Sequence, residues 1–529
     1  MTDNTHEPAR SVAGQIPKDA IERLLSRITL TGPAHPTAPL HAPFTAEPIH
    51  EVPLCTAEDL EEALREAREA QAEWSRRSVD KRARGLLRFH DLVLERQDEL
   101  LDAIQLETGK SRKHAFEEIT DTAIVARYYA HHGPGLLAPR RRQGALPGFT
   151  AAWEHRSALG VVGFIAPWNY PLSLAVTDAL PALLAGNAVV LKPDRQTPLT
   201  ALMAARLLDE AGLPPGLFHV LTGKGRELGA PLIEGVDFIC FTGSTATGRL
   251  IARQAGERLI GCSLELGGKN PMIVLEDADL DAAADGAVRG CFANAGQLCV
   301  SIERIYVQRA VFDRFVSRFV EKTRALKLGA SFDWDVEIGS LVGKAQLDKV
   351  AGHVGEALAH GATLAAGGRP RPDLGPYFYE PTILLGVTEK AAVSCEETFG
   401  PVVSVYRFDT LDEAVRRANA TRYGLNASVW TGDADRGVEL ARRLESGMVN
   451  VNEAYAAAWA SVDAPIGGFK DSGLGRRHGA EGLLKYTEAQ TIAVQRLVPL
   501  TAPTGVSEEK YRRSLSRALK VVRRVPGLR

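Results

Sequence analysis

Residues 159–258 constrain the fold most, because short apolar runs alternate there with amphipathic stretches. LGVVGFIAP reads as a buried strand, SLAVTDALPALLAG as a helix and NAVVLKP as a second strand. TALMAARLLDEAG then reads as a helix, GLFHVLTG as a strand, RELGAPLIEG as a short helix, VDFICFTG as a strand and TATGRLIARQAGER as a helix. Strands that are apolar throughout are covered on both faces, and helical crossovers make them parallel. Such a sheet binds ligands beyond the carboxyl ends of its strands. After Glu265 the alternation resumes, with PYFYEPTILLGV and VVSVYRF as strands and DTLDEAVRRANAT and ADRGVELARRLESG as helices. Two α/β regions predict a cleft between them, where a cofactor meets a substrate.

The flanking sequence adds less. AEDLEEALREAREAQAEW and KRARGLLRFHDLVLERQDELLDAIQLETG repeat apolar residues at helical spacing. The first 50 or so residues are rich in Pro, Thr and His and read as an irregular arm, with one short helix near residues 21–28. MTDNTHEPARSVAG lacks an apolar core, so no secretory signal is expected. The most apolar long stretch, 172–191, is interrupted by Asp178, Pro181 and Asn187, which argues against a membrane span. The last 30 residues form a basic tail. There Tyr511, Leu515, Ala518, Leu519, Val522 and Val525 share one helical face amid Arg and Lys. Such a helix either docks on its own subunit or meets an acidic surface or partner.

A formal net charge of −2 provides no global field for nucleic acid. The six cysteines include no CxxC pair, and no His cluster has metal-ligand spacing. A disulfide framework and a metal site are therefore not expected, and reduced thiols in the cytoplasm are the simpler reading.

The chemistry-bearing motifs are local. Gly223 to Gly229 nearly matches a dinucleotide fingerprint but has one residue too many. Gly243-Ser-Thr-Ala-Thr-Gly248 follows a strand and opens a helix, which suits either a phosphate or a plain N-cap by Ser244 or Thr245. Asn294-Ala-Gly-Gln-Leu-Cys299 sets a cysteine just after a turn. LELGGKN puts Glu265 at a glycine turn, and PWNYP puts Asn169 at the end of a strand.

With LKP at 191–193, EETFGP at 396–401 and GGFKDSGLG at 467–475, these motifs resemble the aldehyde dehydrogenase superfamily in type, order and spacing. The likeness spans roughly residues 40–500. It implies an α/β fold of two domains with parallel sheets and a small β oligomerisation flap. A Rossmann-like cofactor domain would comprise 41–140 and 157–267, and a catalytic domain 268–468. The flap would comprise 141–156 and 469–500, flanked by an N-terminal extension at 1–40 and the tail at 501–529. Homodimers or homotetramers are implied, since the strand at 486–494 would otherwise leave an unpaired edge. Arg140 to Arg142 would be a solvated face of that region.

The resemblance also assigns roles. Cys299 would be the nucleophile, Asn169 an oxyanion donor with the Cys299 backbone N–H, and Glu265 the base that activates water. Lys192 would touch the adenine ribose, Gly225 would lie beside the adenine, and Ser244 would contact the pyrophosphate. Glu397 would hold the nicotinamide ribose, Phe399 would pack beside the nicotinamide, and Trp168 would wall the pocket. Lys269 would support its turn. NAD-preferring relatives carry a glutamate where this chain has Arg195, so NADP is expected, with NAD as the alternative.

PWNYPLSLAVTDALP and NEAYAAAW are most similar to the bacterial NADP-dependent succinate-semialdehyde branch. The arginines expected there for a carboxylate are replaced by Thr177 and Ala293. Tyr170, Tyr455, Trp459 and Ser461 would suit a more apolar pocket, so medium-chain or aromatic aldehydes form the second reading. A catalytically inactive binding relative is the third, although Cys299 and Glu265 are both present. Glu265 also argues against a CoA-acylating enzyme, and no motif nominates the His partner of a cysteine hydrolase.

Overall fold

The computed structural model describes residues 12, 14–144, 150–495 and 501–524. A six-stranded sheet holds the first alternating region, in the order Gly473–Leu474, Gly261–Glu265, Phe238–Thr242, Val161–Ile165, Ala188–Lys192, Phe218–Val220. All neighbours run parallel except the antiparallel edge Gly473–Leu474. Val161, Val162, Val189 and Val190 are fully buried, so the central strands are covered on both faces. Burying each such side chain is worth about 1.5–3 kcal/mol relative to exposure.

A seven-stranded sheet holds the second region, in the order Thr363–Ala366, Thr382–Leu385, Val402–Phe408, Ile302–Gln308, Asn270–Val274, Asn426–Trp430, Met448–Val451. Only Thr363–Ala366 runs antiparallel. A separate antiparallel sheet joins Arg140–Gln143, Thr150–Ala158 and Thr487–Gln495. Thr487–Gln495 is its edge, exposed from Glu488 onward. Gly473–Leu474, expected with that small sheet, instead pairs beside Glu265.

Several elements differ from expectation. SLAVTDALPALLAG forms two helices, Ser173–Val176 and Ala179–Ala185. Pro181 has no N–H to return to the Thr177 carbonyl, which interrupts the ladder. KRARGLLRFHDLVLERQDELLDAIQLETG breaks at Arg96 into Val79–Glu95 and Gln97–Thr108. Within PYFYEPTILLGV only Thr382–Leu385 is a strand, starting after Pro381. The N-terminal region holds the helix Lys18–Leu25 and the hairpin Thr37–His41 with Pro48–Pro53, so part of it is regular. The longest helix, Arg112–Leu137, was not anticipated, because its buried face mixes His114, Glu118 and Thr122 with apolar residues.

Among the described residues no helix is long and apolar enough to cross a membrane, and no group of His, Cys, Asp and Glu could hold a metal. The expectations on residues 1–11 and on Val525 lie outside the described residues, as do 145–149 and 496–500 of the oligomerisation segments.

Candidate active site

Cys299 is held by contacts to its backbone and to the turn before it. The preceding turn, Ala293–Gly296, places Asn294 and Ala295 in the left-handed region, at φ 51° and 53°. Gln297 Oε1 accepts from the Val342 N–H at 2.9 Å, which locks that turn. The Cys299 carbonyl accepts from Asn270 Nδ2 at 2.8 Å. A Cβ on Gly268 would lie 2.6 Å from the same carbonyl, so only glycine fits there. Asn169 is buried, and its Nδ2 donates to the Gln297 carbonyl at 3.1 Å, next to the cysteine loop. Its own carbonyl accepts from Lys110 Nζ at 2.6 Å and Asn294 Nδ2 at 3.1 Å. Lys110 is paired at 2.7 Å with Glu118, which also accepts from the Leu172 and Ser173 N–H groups. This buried pair sets the Asn169 turn and was not anticipated from sequence.

Cys299 lines two cavities of about 210 Å³ each. One is bounded by Trp168, Asn169, Ser244, Glu265, Glu397 and Phe399. The other is bounded by Tyr170, Leu174, Leu298, Tyr455 and Trp459. Burial, with the Glu265 and Glu397 carboxylates adding to it, pushes the Cys299 thiol up to about 12. The resting sulfur is therefore protonated and needs a base.

Glu265 ends the strand Gly261–Glu265 and is buried. Burial raises its carboxyl to about 7, opposed by the Arg477 guanidinium and reinforced by Asp178. Its Oε1 meets no hydrogen-bond donor among the described residues, so it is available to a water or a thiol proton. A carboxyl poised near neutrality is suited to general-base work.

The first cavity gathers the residues expected around the nicotinamide and the pyrophosphate. Ser244 caps the helix Thr245–Glu257, accepting from the Thr247 N–H at 3.3 Å while facing the cavity, so cap and lining coincide. Glu397 Oε1 accepts from the Gly268 N–H at 2.9 Å, and burial raises its carboxyl to about 7. A Cβ on Gly267 would lie 2.7 Å from Glu397 Oε2. Phe399 sits at φ 57°, strained for a non-glycine residue, with its N–H given to Glu303 at 2.9 Å and its ring edge-on to Trp168. Glu303 is paired with buried Lys269, which ties the Phe399 loop to the turn that Lys269 was expected to support.

Lys192 is buried, with Nζ donating to the Pro193 carbonyl at 2.9 Å and Cε 4.0 Å from where a Gly225 Cβ would lie. Arg195 is exposed and lines a third cavity with Thr222 and Gly223. The neighbouring Asp194 lines the same cavity, with its Oδ1 accepting from the Gln196 N–H at 2.9 Å.

In the second cavity, Thr177 and Ala293 are absent from the wall. Both are buried, and Thr177 accepts from Arg477 at 2.8 Å. Arg289 does line it. It lies one turn before Ala293, on the helix Leu280–Phe292 and the same helical face. Its guanidinium pairs with Glu453 and its side chain is 48% exposed. Reading the helical face, and not position 293 alone, would have found it. Two acids also face this cavity, both raised by burial. Glu117 accepts from the Tyr170 and Tyr455 hydroxyls at 2.9 and 3.1 Å, and Asp121 from Trp459 Nε1 at 2.9 Å and from the Ser173 hydroxyl. Ser461 is absent from this wall.

The family model of the aldehyde dehydrogenase family matches residues 31–492. A Mycolicibacterium smegmatis protein named "Putative succinate-semialdehyde dehydrogenase (NADP+)" is 51% identical over 494 residues, covering 93% of this chain and 96% of the relative. A crystal structure described as an Escherichia coli NADP-dependent enzyme superposes with a TM-score of 0.83 at 35% identity, covering 87% of this chain and 95% of the other. Betaine aldehyde dehydrogenase from Staphylococcus aureus, solved with NAD+, gives 0.85 at 33% identity, covering 92% and 99%. With most of its length matched and the motifs assembled around one cleft, the chain belongs to the aldehyde dehydrogenase family.

Proposed function

We propose that this protein oxidises an aldehyde to a carboxylic acid with NADP, and that the aldehyde is succinate semialdehyde. The observation that carries the reading is Cys299 shared between two cavities, with Glu265 and Asn169 beside it. The thiol proton passes to Glu265 as the sulfur bonds to the aldehyde carbon. The carbonyl electrons move to oxygen, which Asn169 Nδ2 and the Cys299 N–H hold. A bound nicotinamide supplies the acceptor for the hydride that leaves this carbon. Glu265 then releases the thiol proton to solvent, takes a proton from the water that hydrolyses the thioester on Cys299, and returns it to the sulfur as the acid departs.

Arg195 and Lys192 would pair with the 2′-phosphate that distinguishes NADP, where one oxygen of Asp194 is already held by the Gln196 N–H. Arg289 would hold the distal carboxylate of succinate semialdehyde, doing from one turn upstream what an arginine at 293 would do. The aromatic and aliphatic wall supports the second reading, a medium-chain or aromatic aldehyde. We further propose a cytoplasmic homodimer or homotetramer, in which a second copy covers the exposed edge Thr487–Gln495. The decisive experiment measures kcat/KM for succinate semialdehyde, hexanal and benzaldehyde with each cofactor. Preference for succinate semialdehyde and NADP is expected. Preference for hexanal or benzaldehyde overturns the substrate, preference for NAD overturns the cofactor, and no reduced cofactor with any aldehyde overturns the enzyme.

A further inference from the structure

The helix Glu508–Val522 takes no part in the cleft, and none of its residues is buried. At helical spacing Tyr511, Leu515, Ala518, Leu519 and Val522 fall in a stripe roughly 100° wide, with Val521 widening one side. Leu519 is 49% exposed and Val521 62%, while Tyr511, Leu515 and Val522 are half-buried. Lys510 and Arg512 border the stripe, while Arg513, Arg517, Lys520, Arg523 and Arg524 occupy the remaining faces. These seven cations face only Glu508 and Glu509 across the segment, in a chain whose net charge is −2. The segment 508–524 thus carries five more cations than acids, seven against two.

A soluble helix of this length gains little stability alone and normally covers its apolar face. Here the face is shallow and mainly aliphatic, and cations flank it on both sides. A lipid headgroup layer matches that pattern: acyl chains take the stripe, and long basic side chains reach outward to phosphates on either flank. An acidic protein groove does not require cations on both borders. We infer that Glu508–Val522 lies in the interface of an anionic bilayer and holds the enzyme at the membrane surface without crossing it.

The test is co-sedimentation of the full chain with phosphatidylglycerol vesicles and with phosphatidylcholine vesicles. The wild-type chain should sediment with the anionic vesicles, less as salt rises, and not with the zwitterionic ones. Leu515→Asp with Leu519→Asp should weaken partitioning by about tenfold or more. A chain ending at residue 500 should lose it, and aldehyde oxidation should persist in both. Three results would overturn the inference: no sedimentation with phosphatidylglycerol, equal sedimentation of the truncated chain, or dissociation of subunits by the double substitution, which would make a second copy the occupant.

Discussion

Replacing Arg289 with leucine tests how the aldehyde is recognised. Leucine keeps an apolar stem in the wall but removes the guanidinium that would face a distal carboxylate. A hydrogen bond to a charged group is worth about 1.5–3 kcal/mol. The Arg289 side chain is 48% exposed and shared with Glu453, so solvent and that partner place the effect at the low end. About 1.5 kcal/mol corresponds to roughly tenfold. Initial rates of NADPH formation should therefore show kcat/KM for succinate semialdehyde falling about tenfold in Arg289→Leu. The loss should appear in KM, because the carboxylate contact is equal in ground and transition states. Butanal, with the same carbon chain and no carboxylate, should be unaffected. Arg289→Lys should fall between, having the charge without the planar fork. An equal loss on both aldehydes, or none on succinate semialdehyde, would refute the assignment.

Arg195→Glu should shift cofactor preference from NADP toward NAD by about ten- to a hundredfold in kcat/KM, since a carboxylate repels the 2′-phosphate and accepts from ribose hydroxyls; an unchanged ratio shows that position 195 does not choose. Glu265→Gln should lose both the rapid burst of NADPH and steady turnover, because the thiol proton and the water proton go to the same carboxylate, and wild-type turnover would mean another base serves. The Glu265 carboxyl is raised to about 7, so it is protonated and inactive below that pH and ionised above it. Wild-type deacylation should accordingly rise with pH through about 7, and a flat profile from pH 5 to 9 contradicts the base assignment. Gly267→Ala puts a methyl 2.7 Å from Glu397 Oε2, and should raise KM for NADP about tenfold or more by displacing that carboxylate. Unchanged cofactor binding would detach Glu397 from the ribose.

Strand runs and turn glycines made the first sheet legible, because buried parallel strands are apolar throughout and Gly268 is forced by the Cys299 carbonyl. Cys299, Glu265 and Asn169 could be named from their motifs, but Lys110 and Glu118 could not. Their pairing brings a helix N-terminus to the Asn169 turn across a long sequence separation, and only tertiary contact shows it. Arg112–Leu137 escaped for the same reason: its polar residues are buried by partners elsewhere in the chain. No motif marks Arg289, because it stands one turn before position 293 on the same helix and lines the cavity where Ala293 does not. The break before Ala179–Ala185 was legible in principle from Pro181.

The central claim is that the Cys299 sulfur carries the acyl group, and Cys299→Ser tests it most directly. A neutral hydroxyl is a far poorer nucleophile than a thiolate, so aldehyde-dependent NADPH formation should fall by orders of magnitude. The fold and cofactor cavity should remain, seen as an undiminished rise in thermal stability on adding NADP. Near-normal aldehyde oxidation by Cys299→Ser, with that stabilisation intact, would contradict the account.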